Sequence, residues 1–219
     1  RVFGQQPKIT IDNVSKGVEL ELQYRPLDNW NIIMNAAKTE AYRVNLGQDI
    51  RNFVEGQLER FQGPAGDLRV WWGGDRTVRQ YYEQIVYSAY EFQLDANGQA
   101  APEIRPWRFN MVTNYSFNDG VIKGLSVGGA LRWQDETILG YQLNADQTKL
   151  DVENPIHGAA ETNIDIWAAY RKQLTDKIDW EIQLNLRNVG EDYDLVPVSV
   201  NPDGTTAAYR ISQGMTWSL

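Results

Sequence analysis

The sequence has no cysteine and only one histidine, His157. The missing thiols exclude disulfide bridges and thiolate metal sites, and a single imidazole excludes the histidine-rich kind. The acidic stretch around Glu191, Asp192 and Asp194 could offer oxygen ligands to calcium, but it lacks the spacing of an EF-hand, and the pattern favours a solvated acidic loop. The sequence therefore predicts no metal site and no cofactor.

Long hydrophobic runs are also missing. The mean hydropathy is −0.51, and no segment approaches the roughly 20 apolar residues that a membrane-spanning helix needs. Strands that cross a membrane escape this test because only every second residue is apolar. Spanning by helices is therefore excluded, whereas spanning by strands is not.

Two further absences concern charge and catalysis. With 29 acidic and 21 basic residues the net charge is −8, and no basic stripe is present, so nucleic acid is not a predicted partner. The chain has neither a nucleophile elbow nor a glycine-rich phosphate loop, and its carboxylates alternate along segments instead of converging. It is not predicted to be an enzyme.

The most informative feature that is present is a strict alternation of apolar and polar residues. In IDWEIQLNLRN, residues 178–188, Trp180, Ile182, Leu184 and Leu186 alternate with charged or amide side chains. A period of two predicts a strand with one apolar and one polar face. Polar positions this regular fit the wet lumen of a transmembrane barrel better than a packed core. The same pattern predicts seven strands, at 17–25, 30–42, 107–117, 124–134, 163–171, 178–188 and 208–219.

The connections between these strands alternate in length. Long loops span 43–106, 135–162 and 189–207, and turns of a few residues separate the other pairs. This rhythm is typical of an up-and-down barrel with short periplasmic turns and long extracellular loops. The predicted fold is therefore all-β: about seven strands of a larger antiparallel transmembrane β-barrel, with two short amphipathic helices in the first long loop. The last strand runs toward the short turns, which predicts a periplasmic C-terminus.

Several strand and turn phrases resemble one family in their order along the chain. The chain is similar to the C-terminal part of the barrel of TonB-dependent outer-membrane receptors, best over residues 102–219 and more loosely over 15–42. The phrases that carry this resemblance are RPWRFNMVTNYSF, GLSVGGALRW, AETNIDIWAAYRK, KIDWEIQLNLRNV and VNPDGTTAAYRISQGMTW.

The resemblance implies a location, a function and partners. Members of the family close about 22 strands around an N-terminal plug in the bacterial outer membrane. They import scarce nutrients, such as iron chelates, cobalamin or glycans, with energy from the TonB–ExbB–ExbD system acting through the plug. Residues 1–219 contain no plug and about a third of such a barrel. The resemblance therefore implies that the plug and the remaining strands come from the same polypeptide or from other chains.

Candidate ligand contacts lie in the first long loop. Trp71 and Trp72 follow one another in a glycine-rich stretch, where exposed indoles could stack on a sugar or an aromatic chelator. The alternative is that they hold the two loop helices together.

Two further sets of residues are predicted from the phase of the strands. The polar phase predicts residues that face the lumen and the plug, or that form ladders of opposite charge between strands; they are Arg108, Arg132, Arg171, Glu181 and Arg187. The apolar phase predicts residues that face outer-membrane lipid; they are Trp30, Phe109, Leu131, Trp133, Ile166, Ile182 and Leu184.

One alternative from a different functional class remains open. A soluble, secreted all-β protein that binds carbohydrate, similar to a lectin, could bury the same tryptophan and leucine faces between two sheets. Such a sandwich would turn its polar strand faces to water.

Overall fold

A computed structural model describes residues 12–45, 48–72, 74–102, 104–147 and 149–219, with the backbone alone at residues 48 and 49. Seven antiparallel strands form one open sheet, and neighbours in the sheet are also neighbours along the main course of the chain. This confirms the predicted all-β class and the up-and-down order. The strands of the sheet are β1 (Asp12–Leu27), β2 (Trp30–Val44), β3 (Trp107–Ser116), β4 (Leu125–Gln134), β7 (Glu161–Thr175), β8 (Ile178–Arg187) and β11 (Thr216–Ser218).

Two small hairpins and a helical segment lie within the long connections. Strands β5 (Thr137–Gly140) and β6 (Ile156–Gly158) pair with each other, as do β9 (Leu195–Val200) and β10 (Thr206–Ile211). The connection between β2 and β3 holds the helices. They are α1 (Gln48–Gln62), a 3-10 turn (Pro64–Asp67), α2 (Val78–Tyr82), a π-helical turn (Glu83–Tyr87) and α3 (Ser88–Asp95).

The register of the sheet brings the apolar phases of neighbouring strands together. Ile166 of β7 stands opposite Leu186 of β8, and Ala168 stands opposite Leu184. Because side chains alternate between the two faces, these pairs share one face, while Arg171 and its partner Glu181 share the other. We call these the apolar face and the polar face of the sheet.

The three long connections meet at one end of the sheet. Tyr42, at the end of β2, forms an isolated bridge with Ala100, and the Tyr141 hydroxyl donates a hydrogen bond to the Ala100 carbonyl at 3.1 Å. Burial raises the pKa of the Tyr141 phenol further above neutral pH. The Leu143 amide in turn bonds the Pro202 carbonyl in the hairpin of β9 and β10 at 2.8 Å. The opposite end of the sheet carries the short turns.

The helical segment has a core of its own. Ile50 and Val54 of α1 are buried against Tyr82 and Tyr90. The amphipathic helices predicted in this loop bury Ile50, Val54 and Tyr82, whereas Phe53 of α1 remains 51% exposed. The Tyr82 hydroxyl donates to the Val54 carbonyl at 2.9 Å, which ties α1 to α2. None of the described helices has the length and apolar character that would let it cross a membrane.

The last predicted strand, 208–219, is wrong in its first half. Tyr209 and Ile211 pair with Pro197 and Leu195 in the hairpin of β9 and β10, outside the main sheet. Only β11 pairs with β8. Between the two segments the Met215 amide donates to the Glu191 carbonyl at 2.9 Å, so the loop, and not the sheet, takes the hydrogen bonds of residues 212–215. Alternation alone does not reveal this exchange of partners.

The apolar face of the sheet has no second layer over it among the described residues. Ile164, Ile166, Ile182 and Leu184 remain between 39% and 44% exposed. A sandwich would bury these positions between two sheets. Within the described residues the sheet therefore does not form the two-layer sandwich that a lectin-like protein would need.

A tryptophan on the polar face spans three strands. The Trp167 indole of β7 lies across Gly128 of β4, and its Nε1 donates to the Asn114 Oδ1 of β3 at 3.0 Å. A Cβ placed on Gly128 would stand 2.3 Å from the indole ring. Only glycine leaves room for this arrangement.

We predict that Gly128→Ala destabilises the protein by about 1–3 kcal/mol, because the new methyl group forces the Trp167 indole off the sheet. The measurement is thermal unfolding in detergent. Gly56→Ala in α1 is the control, since a Cβ there meets nothing within 4 Å and alanine favours a helix. Equal melting temperatures for the two variants would contradict the packing described.

Candidate functional site

The polar face carries a cluster of polar side chains at its loop end, of which Asn188 is buried. Arg132 Nη2 lies 3.1 Å from Asp165 Oδ2 and 3.4 Å from Asn188 Oδ1. Asn188 is 6% exposed. Its backbone N–H donates to Asp165 Oδ1 at 2.9 Å, and its side-chain Nδ2 donates to the Gln213 carbonyl at 3.1 Å. The cluster thus joins β4, β7 and the two ends of the last long connection.

The other residues predicted for the lumen share this face but do not converge with Arg132. Arg171 Nε donates to Glu181 Oε2 at 2.7 Å, in a cross-strand pair near the short turns. Arg108 stands opposite Gln134 and Arg187 opposite Thr216, and neither forms an ion pair within the described ranges. The five residues are therefore spread over the height of the face. Two of the four arginines, Arg132 and Arg171, form ion pairs with carboxylates of neighbouring strands. These are the ladders of opposite charge that the sequence offered as the alternative to plug contacts.

A cavity of about 610 Å³ opens beside the Arg132 cluster. Its wall combines guanidinium groups, carboxylates, amides and hydroxyls, and it contains no aromatic ring. Such a wall offers hydrogen-bond donors and acceptors in similar measure. The polar lining consists of Arg132, Arg210, Glu161, Glu191, Asp194, Thr162, Asn163, Asn188, Ser212 and Gln213.

One carboxylate of this wall holds the loops together. Glu161 Oε1 accepts hydrogen bonds from Arg105 and from Arg210, which belong to two different long connections. Arg105 also donates to the backbone carbonyls of Asp135 and Ala159. The Arg105 side chain is only 12% exposed. Sequence reasoning missed the contact of Arg105, Glu161 and Arg210, because these residues lie about fifty positions apart and fall in three separate phrases of the sequence.

The two tryptophans of the first long loop are exposed. Trp71 is 88% exposed and Trp72 is 58% exposed. Their rings meet edge to face at 5.4 Å, and Trp72 meets Tyr81 of α2 in the same way at 5.9 Å. Trp72 therefore touches one loop helix, whereas Trp71 presents nearly its whole ring to the surroundings. Among the described residues, the ring contacts of the two tryptophans reach α2 and no other loop helix.

The residues predicted to face lipid all lie on the apolar face. Trp30 packs edge to face on Tyr115 at 6.4 Å, and Phe109 stands opposite Trp133 in the register. Leu131 stands opposite Ile164. Ile166, Ile182 and Leu184 continue the same face on β7 and β8. The seven side chains therefore lie on the same face of the sheet.

A search of solved structures finds a match to the ferripyoverdine receptor of the outer membrane of Pseudomonas aeruginosa bound to ferripyoverdine. The match has 14% identity and a TM-score of 0.50, and covers 94% of this chain. The chain has the fold of part of an outer-membrane β-barrel. It spans only 19% of that receptor's length.

Two further structures show lower scores. The complex of FpvAI with pyocin S2 matches with 14% identity and a TM-score of 0.49, over 94% of this chain and 18% of the other. The pyoverdine outer-membrane receptor FpvA from Pseudomonas aeruginosa PAO1 matches with 16% identity and a TM-score of 0.45, over 94% and 21%. No family model and no curated protein matches the sequence.

We predict that Glu161→Gln loosens the loop end, because a neutral amide cannot balance the guanidinium groups of Arg105 and Arg210. The expected cost is about 1–3 kcal/mol. Hydrogen exchange should accelerate in residues 135–160 and 195–211 and remain unchanged in the short turns.

The control for this prediction is Glu181→Gln. It removes a similar arginine–carboxylate pair at the other end of the polar face, where the arginine side chain is 70% exposed. Exposed pairs contribute about 0–1 kcal/mol, so this variant should behave like the parent. A larger effect at Glu181 than at Glu161 would show that the loops do not depend on the Glu161 carboxylate.

Proposed function

We propose that this chain is the C-terminal portion of the barrel of a TonB-dependent outer-membrane receptor, which binds a scarce nutrient outside the cell and imports it to the periplasm. The observation that carries the proposal is the contrast between the two faces of the sheet. One face is apolar over most of its height and has no second layer among the described residues, and the other is polar and holds the pairs Arg132–Asp165 and Arg171–Glu181. Lipid satisfies the first face and a wet lumen satisfies the second.

The fold likeness to the ferripyoverdine receptor supports this proposal. Long loops gathered at one end are the arrangement expected of the extracellular side, and short turns that of the periplasmic side. Strand β11 runs from the loop end toward the short turns, so the proposed orientation places the C-terminus in the periplasm.

The proposal also requires partners for the two edges of the sheet. Unpaired backbone groups cost several kcal/mol each in hydrocarbon, and β1 and β11 each have one edge without a neighbour among the described strands. We therefore expect further barrel strands at both edges, from the same polypeptide or another chain. A plug would face the polar side and receive energy from the TonB–ExbB–ExbD system.

The loop end is the proposed place of ligand capture. Its cavity is lined by two guanidinium groups and three carboxylates, together with amides and hydroxyls. This balance favours a ligand with both donors and acceptors over a polyanion. The exposed indoles of Trp71 and Trp72 add surfaces on which a sugar or an aromatic chelator can stack. Iron chelates, cobalamin and glycans remain the nutrient classes to test.

We predict that Leu184→Arg impairs insertion into the outer membrane, at a cost of about 2–4 kcal/mol if the residue lies near the bilayer midplane. The measurement is the fraction of folded protein in isolated outer membranes, read from heat-modifiable migration on gels. Gln183→Arg is the matched control, because it introduces the same side chain at the adjacent position, which lies on the polar face of the sheet. Equal insertion of the two variants would argue against lipid on the apolar face.

We predict that Trp71→Ala combined with Trp72→Ala lowers the uptake of one nutrient class by whole cells. The panel should contain iron chelates, cobalamin and oligosaccharides. Leu68→Ala is the control, because Leu68 is a 64% exposed apolar side chain in the same loop. Unaltered uptake of every panel member would leave the two tryptophans without a role in ligand capture.

A further inference from the structure

The apolar face ends in two lysines where it approaches the long loops. On β1 the apolar phase runs through Leu22, Leu20 and Val18 to Lys16, and on β2 it runs through Met34 and Ala36 to Lys38. The register sets Lys16 opposite Glu40 and Val18 opposite Lys38. Both ammonium groups therefore belong to the face that the proposed barrel turns toward lipid.

A single carboxylate and two aromatic rings position these lysines. Glu40 Oε2 lies 3.3 Å from Lys16 Nζ, and Glu40 Oε1 lies 3.0 Å from Lys38 Nζ. The Tyr42 hydroxyl donates to the same carboxylate at 3.1 Å. Lys16 Nζ stands 5.7 Å from the centre of the Tyr42 ring, and Lys38 Nζ stands 5.7 Å from that of Trp107.

The group keeps positive charge and free hydrogen-bonding capacity. Two ammonium groups share one carboxylate, so one positive charge remains uncompensated. Each ammonium has three N–H donors, and the side chains of Lys16 and Lys38 are 70% and 43% exposed. An additional anion can therefore approach both nitrogens without displacing Glu40.

The height of the lysines on the sheet matches the edge of a lipid bilayer. Lys38 lies eight positions after Trp30, the first residue of β2. At about 3.3 Å per residue and a tilt of about 40°, this corresponds to roughly 20 Å along the barrel axis, against an apolar band about 25 Å tall. The flexible stem of lysine can cover the remaining distance to the headgroups.

We infer that Lys16 and Lys38 bind a phosphate group of a lipid headgroup in the leaflet that borders the long loops. The inference rests on the proposed membrane barrel. The site continues the apolar face and lies apart from the polar cavity, so its occupant is a lipid with its acyl chains along that face. Charge complementarity supports the choice of a phosphate, because Lys16 and Lys38 share the single carboxylate of Glu40 and keep one uncompensated positive charge.

The test compares two double variants of the native protein in detergent. Lys16→Gln with Lys38→Gln removes the proposed site. Lys172→Gln with Lys177→Gln removes two lysines near the short turns, where Lys172 stands opposite Trp180 on the same face. Binding of bisphosphorylated lipid A is measured by native mass spectrometry and by the rise in melting temperature.

Affinity for lipid A should fall about tenfold or more in the first double variant and stay unchanged in the second. Lys16→Arg with Lys38→Arg should retain binding, which separates loss of charge from loss of folding. Equal affinity in the two glutamine variants would overturn the inference. So would equal binding of dephosphorylated lipid A.

A parallel binding measurement with inorganic phosphate distinguishes recognition of a lipid from recognition of a free anion. If phosphate alone binds with the same affinity as lipid A, the site accepts a soluble anion and the lipid assignment is wrong. Failure of the membrane proposal would appear elsewhere, as equal insertion of the Leu184→Arg and Gln183→Arg variants. The two ideas can therefore fail independently.

Discussion

Backbone pairing between neighbouring strands is the constraint on which the other features of this structure depend. Because side chains alternate with a period of two, a slip of one residue would move Arg132 to the apolar face and Leu184 to the polar one. The pairs Arg132–Asp165 and Arg171–Glu181 form only in the observed register. They mark the alignment of β4 with β7 and of β7 with β8 in places where no packed core exists to enforce it.

The sequence predicted the features that arise from local order. Alternation identified the strands of the main sheet and assigned the predicted residues to its two faces, because period two is a property of neighbouring residues. Three strands were predicted too short, those at 17–25, 30–42 and 163–171. The interval 17–25 became Asp12–Leu27, because Lys16 interrupts the apolar phase and yet pairs with Glu40 on the adjoining strand. A charged position at the end of a strand looks like a loop until its partner is known.

The features that the sequence did not predict depend on residues far apart in the chain. Glu161 meets Arg105 and Arg210 only because three long connections gather at one end of the sheet. The glycine at 128 is explained by an indole from β7 that no pattern in β4 reveals. The first half of the last predicted strand alternates as a barrel strand should, but pairs with β9 instead. In each case, tertiary partners decide between options that are locally equivalent.

The buried core lies in the helical segment and not in the sheet, so the two depend on different surroundings for their stability. The helical segment buries Ile50, Val54, Tyr82 and Tyr90 within one connection, so it can hold Trp71 at its surface without help from the sheet. Among the described residues of the seven-stranded sheet, Ala169 is the one buried apolar residue. Its two faces must therefore draw their stability from what surrounds them, lipid on one side and polar groups or water on the other. A loop with its own core can change its surface for a new ligand while the strands below keep the register that the surroundings demand.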